Sequence, residues 1–169
     1  NASIIETVRN IVPSFGGINL EDIAAPRRFE IEEALQDLGI PVFHDDQHGT
    51  SIVVLASIIN SLQVVGKKIG EVKIVFSGAG AGGIASTKLL LEYGATNVVL
   101  ADSKGIIHRG RTDLTPIKTS LLEITNLNNE SGSLADALKG ADVFVGLSVG
   151  GCVTPDMVTS MAKGAIVFA

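Results

Sequence analysis

The sequence is poor in cysteine and in aromatic residues. It has one cysteine, Cys152, no tryptophan and one tyrosine, and aromatic residues make up 4% of its 169 positions. A single cysteine excludes a disulfide framework and a cysteine-rich zinc site, and it favours a reducing, cytoplasmic setting. Basic residues are outnumbered by acidic ones, which gives a net charge of -5. This balance argues against a nucleic-acid-binding protein, which normally carries a basic face.

Long apolar runs are absent as well. The longest are interrupted by glycine, serine or charged residues, and none reaches the roughly 18 residues that a membrane span requires. No secretory signal is expected, because the N-terminus lacks a basic region leading into an apolar stretch. The apolar content of 46% is nevertheless sufficient for a buried core. The chain begins with asparagine and ends in an apolar, strand-like segment, so we expect a fragment of a longer protein, cut at both ends.

The second half of the chain alternates between strand-like and helical segments. Apolar strands are predicted at residues 72–76, 97–101, 142–147 and 165–168. Helices are predicted at residues 84–93, near 117–124, at 134–138 and from Thr154 onward, with threonine as the N-cap and proline next. Apolar strands that alternate with helices predict an α/β fold with a Rossmann-type, doubly wound parallel sheet.

The first fifty residues have a shorter α/β pattern of their own. They predict a helix over residues 1–12, a strand over 15–20, a helix from Pro26 to Gly39 and a strand over 40–43. A further helix is expected to begin with Thr50 or Ser51 near its N-cap and to run to about residue 62. This part therefore reads as the tail of a separate α/β domain.

A glycine-rich turn follows the first strand of the second half. It has the pattern Gly-x-Gly-x-x-Gly, with an apolar strand before it and a helix after it. In this context the first glycine permits a tight turn, the second lets the backbone approach a pyrophosphate, and the third lets the helix pack close to the strand. The candidate cofactor-binding residues of the turn are Gly78, Ala79, Gly80, Ala81, Gly82 and Gly83. The alternative is a glycine-rich turn that binds no ligand.

An acidic residue ends the next predicted strand. Asp102 lies about twenty residues after the glycine turn, where a carboxylate accepts hydrogen bonds from the adenosine ribose and disfavours a 2′-phosphate. We therefore expect NAD to be preferred over NADP, although Lys104 would weaken that preference. The loop at residues 146–151 follows a later strand, and it either lines the same cofactor site or is a flexible connection.

Two pairs of adjacent acids follow the short strands of the first part: Glu21 with Asp22, and Asp45 with Asp46. Carboxylates with no nearby cysteine suit a hard cation such as Mg²⁺ or Mn²⁺. Because neighbouring residues of a strand point to opposite faces, Glu21 and Asp22 can share a metal ion only if the chain turns there. The alternative is that the acids precede helices, where negative charge is favourable.

Basic residues flank these acids. His44 and His48 are either metal ligands or loop residues that orient the acidic pair between them. Arg27 and Arg28 either hold a substrate carboxylate or decorate the surface of a helix. The residue types alone leave both alternatives open.

Two longer stretches are more specific than the glycine turn. They are residues 15–27, FGGINLEDIAAPR, and residues 40–50, IPVFHDDQHGT. Together with the glycine turn and residues 102–105, DSKG, they resemble the malic enzymes of the compact bacterial type. The resemblance implies that residues 1–48 end a substrate- and metal-binding domain and that residues 49–169 form the NAD(P)-binding domain. It also implies a homodimer or a higher homo-oligomer.

The activity implied by this resemblance is the oxidative decarboxylation of L-malate to pyruvate and CO₂. The oxidant would be NAD or NADP, and the metal ion Mg²⁺ or Mn²⁺. The resemblance further implies that Glu21, Asp22 and Asp46 bind the metal ion and that Asp45 supports the catalytic base. The lysine and tyrosine that the family uses as base and acid have no counterpart in this sequence. The sequence also departs from the family at Arg28, where a small or sulfur-containing residue is expected.

Two other functions are compatible with the glycine turn. One is a metal-independent, two-domain dehydrogenase of the amino-acid dehydrogenase type, which would bind its ligands without dependence on Mn²⁺. The other is a non-catalytic NAD-binding module, which would bind NAD and turn over no malate.

Overall fold

The computed structural model describes residues 1–24 and 27–169, which form two compact units, Asn1–Thr50 and Ser51–Ala169. The first unit contains a two-stranded parallel sheet in which Leu20 lies opposite His44. Its described elements are α1 (Ala2–Ile11), a 3-10 turn (Val12–Ser14), β1 (Ile18–Leu20), α2 (Arg27–Glu33), β2 (Val42–His44) and a π-helical turn (Asp45–Gly49).

A small apolar core holds the first unit together. Val8 of α1, Leu20 of β1 and Ile31 of α2 are buried, together with Leu35 in the turns after α2. Ile4 precedes Val8 by four residues and packs on the same core, so α1 presents one apolar face to it. This packing fixes the carboxyl ends of β1 and β2 side by side.

The second unit is organised around a five-stranded sheet with the strand order β5-β4-β3-β6-β7. All neighbouring strands are parallel except β5, which is antiparallel to β4. The strands are β3 (Lys73–Ser77), β4 (Asn97–Asp102), β5 (Gly105–Ile106), β6 (Val143–Gly146) and β7 (Ile166–Phe168). The helices are α3 (Thr50–Val65), which begins at the boundary, a 3-10 turn (Ile69–Glu71), α4 (Ala81–Glu92), α5 (Pro116–Leu121), α6 (Leu134–Leu138) and α7 (Pro155–Thr159).

The sheet of the second unit is buried on both faces. In β3, Ile74 and Phe76 belong to one apolar cluster and Val75 to the other, and all three side chains are fully buried. Because side chains alternate between the faces of a strand, burial of both faces requires a continuous apolar run. The predicted α/β class, with a parallel sheet covered by helices on both sides, is confirmed.

The structure differs from the sequence-based expectations at three local features. Helix α2 ends at Glu33, and the chain continues through turns to Gly39, which has a φ of +71°. The apolar residues of this segment pack on the core from turns, so their spacing imitated a helix.

The predicted helix start at Pro26 lies outside the described residues. Neither Thr50 nor Ser51 is an N-cap, because the helical segment already begins at Asp45.

The third difference is β5, which was not predicted. It is two residues long, and a segment this short has no periodicity that a sequence pattern reveals. It turns the chain back along β4, where Ala101 pairs with Ile106 and Asp102 with Gly105.

The long connection after β5 is anchored by the buried side chain of Asn126. Its amide nitrogen donates to the carbonyl oxygens of Ile107 (2.9 Å) and Glu130 (2.8 Å), and its Oδ1 accepts from the Glu130 backbone N–H (2.7 Å). The backbone N–H of Asn126 donates to the Val98 carbonyl oxygen in β4. Asn126 has a φ of +46°, a conformation that asparagine adopts more readily than most residues. The connection between β5 and α6 is therefore tied to the sheet.

Among the described residues, one helical segment, Asp45–Val65, is long and apolar enough to cross a membrane, with 21 residues and a mean hydropathy of 1.4. The sequence had predicted no apolar segment of that length. The segment meets the criterion for a membrane span by its length and composition only. The core helix of a soluble protein meets the same criterion. Val54, Ile58 and Leu62 of this segment are buried at helical spacing in the core of the second unit.

Candidate functional site

The glycine turn between β3 and α4 has a backbone that excludes side chains at two positions. Gly78 has a φ of +115°, and a Cβ on it would lie 2.7 Å from the carbonyl oxygen of Leu147. A Cβ on Gly83 would lie 2.1 Å from the carbonyl oxygen of Gly78, so α4 packs directly on the turn. Apart from Gly80 itself and the residues next to it in the chain, no described residue lies within 4 Å of the Cβ position on Gly80. A tight bend, close helix packing and an open middle are the features of a turn that a pyrophosphate approaches.

The N-terminus of α4 is directed at this turn. Gly80 is its N-cap residue, and no described side chain forms a capping hydrogen bond there. The helix has 12 residues, so the positive end of its dipole and its first backbone N–H groups are available at the open side of the turn. This arrangement suits a phosphate group.

A cleft of about 500 Å³ lies at the carboxyl ends of the central strands. Ser77 contributes from the end of β3, Asp102 from the end of β4, and Ser148 and Val149 from the loop after β6. The chain crosses from one side of β3 to the other between β4 and β6, which makes this the switch point at which open α/β sheets bind ligands. The loop at residues 146–151 therefore lines the cleft, as one of the two sequence interpretations proposed.

A smaller cleft of about 240 Å³ continues from the first one. It shares Ser148, Val149 and Cys152 with the larger cleft and extends to Gly146 and Ala169 at the ends of β6 and β7. Cys152 lies 3.7 Å from the Ser77 hydroxyl, measured from Sγ to Oγ. Cys152 therefore lines both clefts.

Asp102 is surrounded by hydrogen-bond donors. Its Oδ1 accepts from Arg111 Nη1 (2.8 Å) and from the Lys104 backbone N–H (3.0 Å). Its Oδ2 accepts from Arg111 Nη2 (3.2 Å) and Lys118 Nζ (2.7 Å). Burial raises the pKa of Asp102, but the hydrogen bonds from Arg111 and Lys118 outweigh it, so the pKa is lowered to about 2. A carboxylate has about four acceptor positions, and all of them are in use.

Asp113 extends this network. It accepts from Arg111 Nη2 (2.8 Å) and pairs with Lys104 Nζ (2.7 Å). The hydrogen bond from Arg111 holds the pKa of Asp113 well below its usual range, and the hydrogen bonds to Asp113 and Asp102 raise the pKa of Arg111. With Lys118 included, three cations face two carboxylates. The network as a whole therefore carries one net positive charge, and it reaches the cleft through Asp102 and Lys104.

Arg111 and Lys118 are residues that the sequence analysis missed. Lys104 was predicted to weaken the preference that Asp102 gives for NAD, but the Lys104 ammonium pairs with Asp113 instead. Arg111 and Lys118 follow Asp102 by 9 and 16 residues, in the connection between β4 and α6. The available signal was a run of basic residues soon after the acid that ends a strand. The reversal at β5 brings Arg111 back to Asp102, and the sequence pattern does not show that reversal.

The acids of the first unit lie at one edge of its sheet. The pair at residues 21–22 directly follows β1 and the pair at residues 45–46 directly follows β2, and these parallel strands are in register with Leu20 opposite His44. Asp22 has a φ of +53°, so the chain turns there, as shared metal binding by the first pair requires. Within residues 1–24 and 27–169, no group of three or more His, Cys, Asp or Glu side chains is arranged to hold a metal ion.

One ion pair and one hydrogen bond join α2 to the π-helical turn. Arg28 Nη1 lies 2.8 Å from Asp46 Oδ2, and the Glu32 carboxylate is hydrogen-bonded to the His48 ring. Arg28 and Glu32 are four residues apart and therefore share one face of α2. The Arg28 side chain is 15% exposed and that of Asp46 is 57% exposed. Arg28 thus belongs to the acidic site, which neither sequence interpretation of this arginine had foreseen.

The two adjacent acids of the turn have different surroundings. Asp45 and Asp46 both lie in the first helical turn, where negative charge is favourable, but no described side chain forms a capping hydrogen bond there. Asp45 Oδ1 is 3.8 Å from Nδ1 of His44, whose ring is fully buried and has no hydrogen-bond partner among the described residues. Asp45 therefore faces the buried histidine, and Asp46 faces Arg28.

Comparison with known proteins gives a consistent match. The family described as malic enzyme, NAD binding domain, matches residues 47–167. The bifunctional malic/malolactic enzyme of Bacillus subtilis is 51% identical over 168 residues, which cover 98% of this chain and 41% of that protein. The NADP-dependent malic enzyme of Halomonas elongata is 49% identical over 170 residues, which cover 99% and 39%. The crystal structure of the NAD-dependent malic enzyme of Thermotoga maritima matches with a TM-score of 0.94 and 45% identity, covering 99% of this chain and 45% of that one. The chain spans less than half the length of these relatives.

Proposed function

We propose, because this chain belongs to the malic enzyme family, that it supplies the NAD(P)-binding domain and the metal-binding carboxylates of an enzyme that converts L-malate to pyruvate and CO₂. The observation that carries the metal-dependent part is the parallel pairing of β1 with β2, which brings both acid pairs to one sheet edge. A metal-independent dehydrogenase of the amino-acid dehydrogenase type does not require acids at this sheet edge. A non-catalytic NAD-binding module does not require them either.

The second unit binds the cofactor in the two clefts. Gly80 and the N-terminus of α4 receive the pyrophosphate, the larger cleft beside Asp102 receives the adenosine ribose, and the smaller cleft receives the nicotinamide. All acceptor positions of Asp102 are occupied, so a ribose hydroxyl must displace a bond from Lys118, Arg111 or the Lys104 backbone N–H. The same two cations attract a 2′-phosphate. We therefore propose that either NAD or NADP is used, and the family contains relatives named for each.

The acids of the first unit suit Mg²⁺ or Mn²⁺ in their chemistry. Glu21, Asp22 and Asp46 are exposed and offer carboxylate oxygens, which these hard cations prefer. Of the three, Asp46 is the one with an ion pair in the described part of the chain, to Arg28. Metal binding therefore requires the three acids to converge and Asp46 to be available.

The residues of this chain bind and orient the reactants. The glycine turn and α4 would hold NAD(P)⁺, which would supply the acceptor for the hydride of malate C2, and the acids at residues 21, 22 and 46 would hold Mg²⁺ or Mn²⁺, which would supply Lewis-acid polarisation of the substrate oxygens. The backbone of the glycine turn and α4 fix the cofactor, and the first-unit acids fix the cation. Asp45, next to Asp46 in the same turn, supports the group that removes the hydroxyl proton. No residue of this chain is assigned as that base or as the acid that protonates the product carbon.

Cellular setting and assembly are part of the same proposal. The single cysteine supports the reducing environment of the cytoplasm. The expected homodimer or higher homo-oligomer stays a prediction, which analytical ultracentrifugation of an intact enzyme carrying this sequence would test.

The test of the proposed activity is malate-dependent reduction of NAD⁺ or NADP⁺ by an intact enzyme carrying this sequence. NAD(P)H and pyruvate are both measured, in Mn²⁺, after chelation and after Mn²⁺ is restored. We expect equal amounts of the two products in Mn²⁺, neither after chelation, and recovery when the ion returns. NADH without pyruvate would indicate simple dehydrogenation, and tight NAD binding without any turnover would indicate a binding module.

A further inference from the structure

We propose that Arg28 is a built-in competitor of the divalent cation, because its guanidinium is bonded to Asp46 and must leave that carboxylate before Asp46 binds a metal ion. The inference rests on the metal-binding role proposed above for Asp46. The observation that carries it is the ion pair itself, in which Arg28 Nη1 lies 2.8 Å from Asp46 Oδ2.

The surroundings of Arg28 keep it on this carboxylate. Its side chain is 15% exposed, so the guanidinium has fewer alternative positions than an arginine on the open surface. Its Nε is buried and has no hydrogen-bond acceptor in the described part of the chain, which leaves Asp46 as the polar contact that holds this side chain. The neighbouring pair of Glu32 with His48 holds the same turn against the same face of α2.

The charges of Arg28 and of a divalent cation oppose each other. If both bound Asp46, they would be separated by no more than one carboxylate group, a distance at which like charges repel strongly. The metal ion therefore displaces Arg28, and the free energy of breaking that ion pair is subtracted from the free energy of metal binding. Arg28 sets the metal concentration at which the site fills.

The opposite role for Arg28 is to orient Asp46 for the metal ion. The two roles differ in the sign of one measurement. Removal of a competitor tightens metal binding, whereas removal of an orienting residue weakens it.

The test is direct measurement of Mn²⁺ affinity, by electron paramagnetic resonance of the free ion, in an intact enzyme carrying Arg28→Met. Methionine removes the charge and keeps an unbranched side chain. Arg28→Gln is a second neutral variant, in case methionine impairs folding, and Arg28→Lys keeps the charge. The matched control is Arg27→Met, which removes the same charge one residue away, where the Arg27 Nε donates to Asn1 Oδ1 (2.7 Å).

We expect Arg28→Met and Arg28→Gln to bind Mn²⁺ about fivefold more tightly, the change that corresponds to loss of one partly exposed ion pair. Arg28→Lys and Arg27→Met should stay close to the wild type. NADH binding, followed by fluorescence in the same samples, should be unchanged in all variants and reports that each is folded.

Unchanged or weaker Mn²⁺ binding in both neutral variants would overturn the competitor role while leaving the metal site intact. Equal tightening in Arg27→Met would also overturn it, because the effect would then be one of general charge. If neither the wild type nor any variant bound Mn²⁺, the metal-binding role of Asp46 itself would be refuted, and the role of Arg28 with it.

Discussion

The two units form their candidate sites in different ways. In Ser51–Ala169 the glycine turn is fixed by contacts between backbone atoms, such as the approach of Gly83 to the carbonyl of Gly78. In Asn1–Thr50 the acids are exposed side chains, and the position of one of them depends on an ion pair with Arg28. Backbone contacts form a site when the chain folds, whereas carboxylates of like charge need a cation to bring them together. The proposed nucleotide site is therefore preformed, and the proposed metal site would be completed by its ligand.

The largest effect expected from this comparison is at Gly83. Alanine normally stabilises a helix relative to glycine, but here its Cβ would lie 2.1 Å from the Gly78 carbonyl oxygen. We expect Gly83→Ala to lower the free energy of unfolding by about 3 kcal/mol, measured by urea denaturation. Gly80→Ala is the matched control, because its Cβ would meet no described atom, and its stability should be unchanged. Equal losses in both variants would break the claim that backbone contact defines the turn.

The second-largest effect distinguishes the role of the first unit from that of the second, because a change in the first unit should reduce activity without changing NADH affinity. In an intact enzyme, Asp46→Asn should reduce kcat/KM for malate about 100-fold, or about 2.7 kcal/mol, because one carboxylate of the metal site loses its charge. NADH affinity should stay the same. The control is Asp37→Asn, which breaks another ion pair of the first unit, to Arg9 (2.7 Å), away from the acids that follow β1 and β2. Undiminished activity in Asp46→Asn would refute the proposal that Asp46 binds the metal ion.

A smaller effect concerns the choice of cofactor in the preformed site. Asp102→Ala leaves Arg111 and Lys118 without their shared carboxylate at the wall of the larger cleft. We expect the ratio of NADP⁺ to NAD⁺ utilisation, compared by kcat/KM, to rise about tenfold, the value of one charged hydrogen bond. Asp113→Ala, in the same network but off the lining of the cleft, should change the ratio less. An unchanged ratio in Asp102→Ala would mean that these cations do not face the 2′ position.

The smallest effect is the pH dependence of stability at Asp102. Its pKa is lowered from 3.8 to about 2, so the folded protein holds the carboxylate in its charged form more strongly than the unfolded chain does. The stability contributed by Asp102 is therefore fully present above its unfolded pKa and is lost as the pH falls through about 2. The difference in unfolding free energy between the wild type and Asp102→Ala should be constant at neutral pH and shrink below about pH 4. A difference that grows on acidification would contradict the ion-paired state of Asp102.

Local features were predictable from the sequence. Helix α6 has the predicted bounds, Leu134–Leu138, and Thr154 caps α7 by accepting a hydrogen bond from the Met157 backbone N–H (3.3 Å). The glycine pattern likewise predicted the positions of the turn and of α4. These features depend on residues within a few positions of one another, and for such features a rule about spacing is sufficient.

Features that join distant segments were not predictable. The contact of Arg111 with Asp102 depends on the reversal at β5, and the contact of Arg28 with Asp46 depends on the packing of α2 beside β2. The apolar residues after Glu33 suggested a longer helix because turns packed on a core also alternate between apolar and polar residues. Tertiary packing determines these two contacts and the end of α2. A single sequence does not show which distant segments pack together.

The anchoring of Asn126 has a consequence for the rates at which backbone amides exchange with solvent. The hydrogen bonds of this residue bind the connection after β5 to β4, and the Ile107 backbone N–H adds a bond to the Leu100 carbonyl oxygen. Amide protons that are held to a central strand exchange only when that strand opens. We therefore expect the amides of Ile107 and Asn126 to exchange slowly, together with β4, although neither residue lies in a helix or strand. In a deuterium-exchange measurement, the part of the connection that Asn126 anchors should be protected together with the sheet.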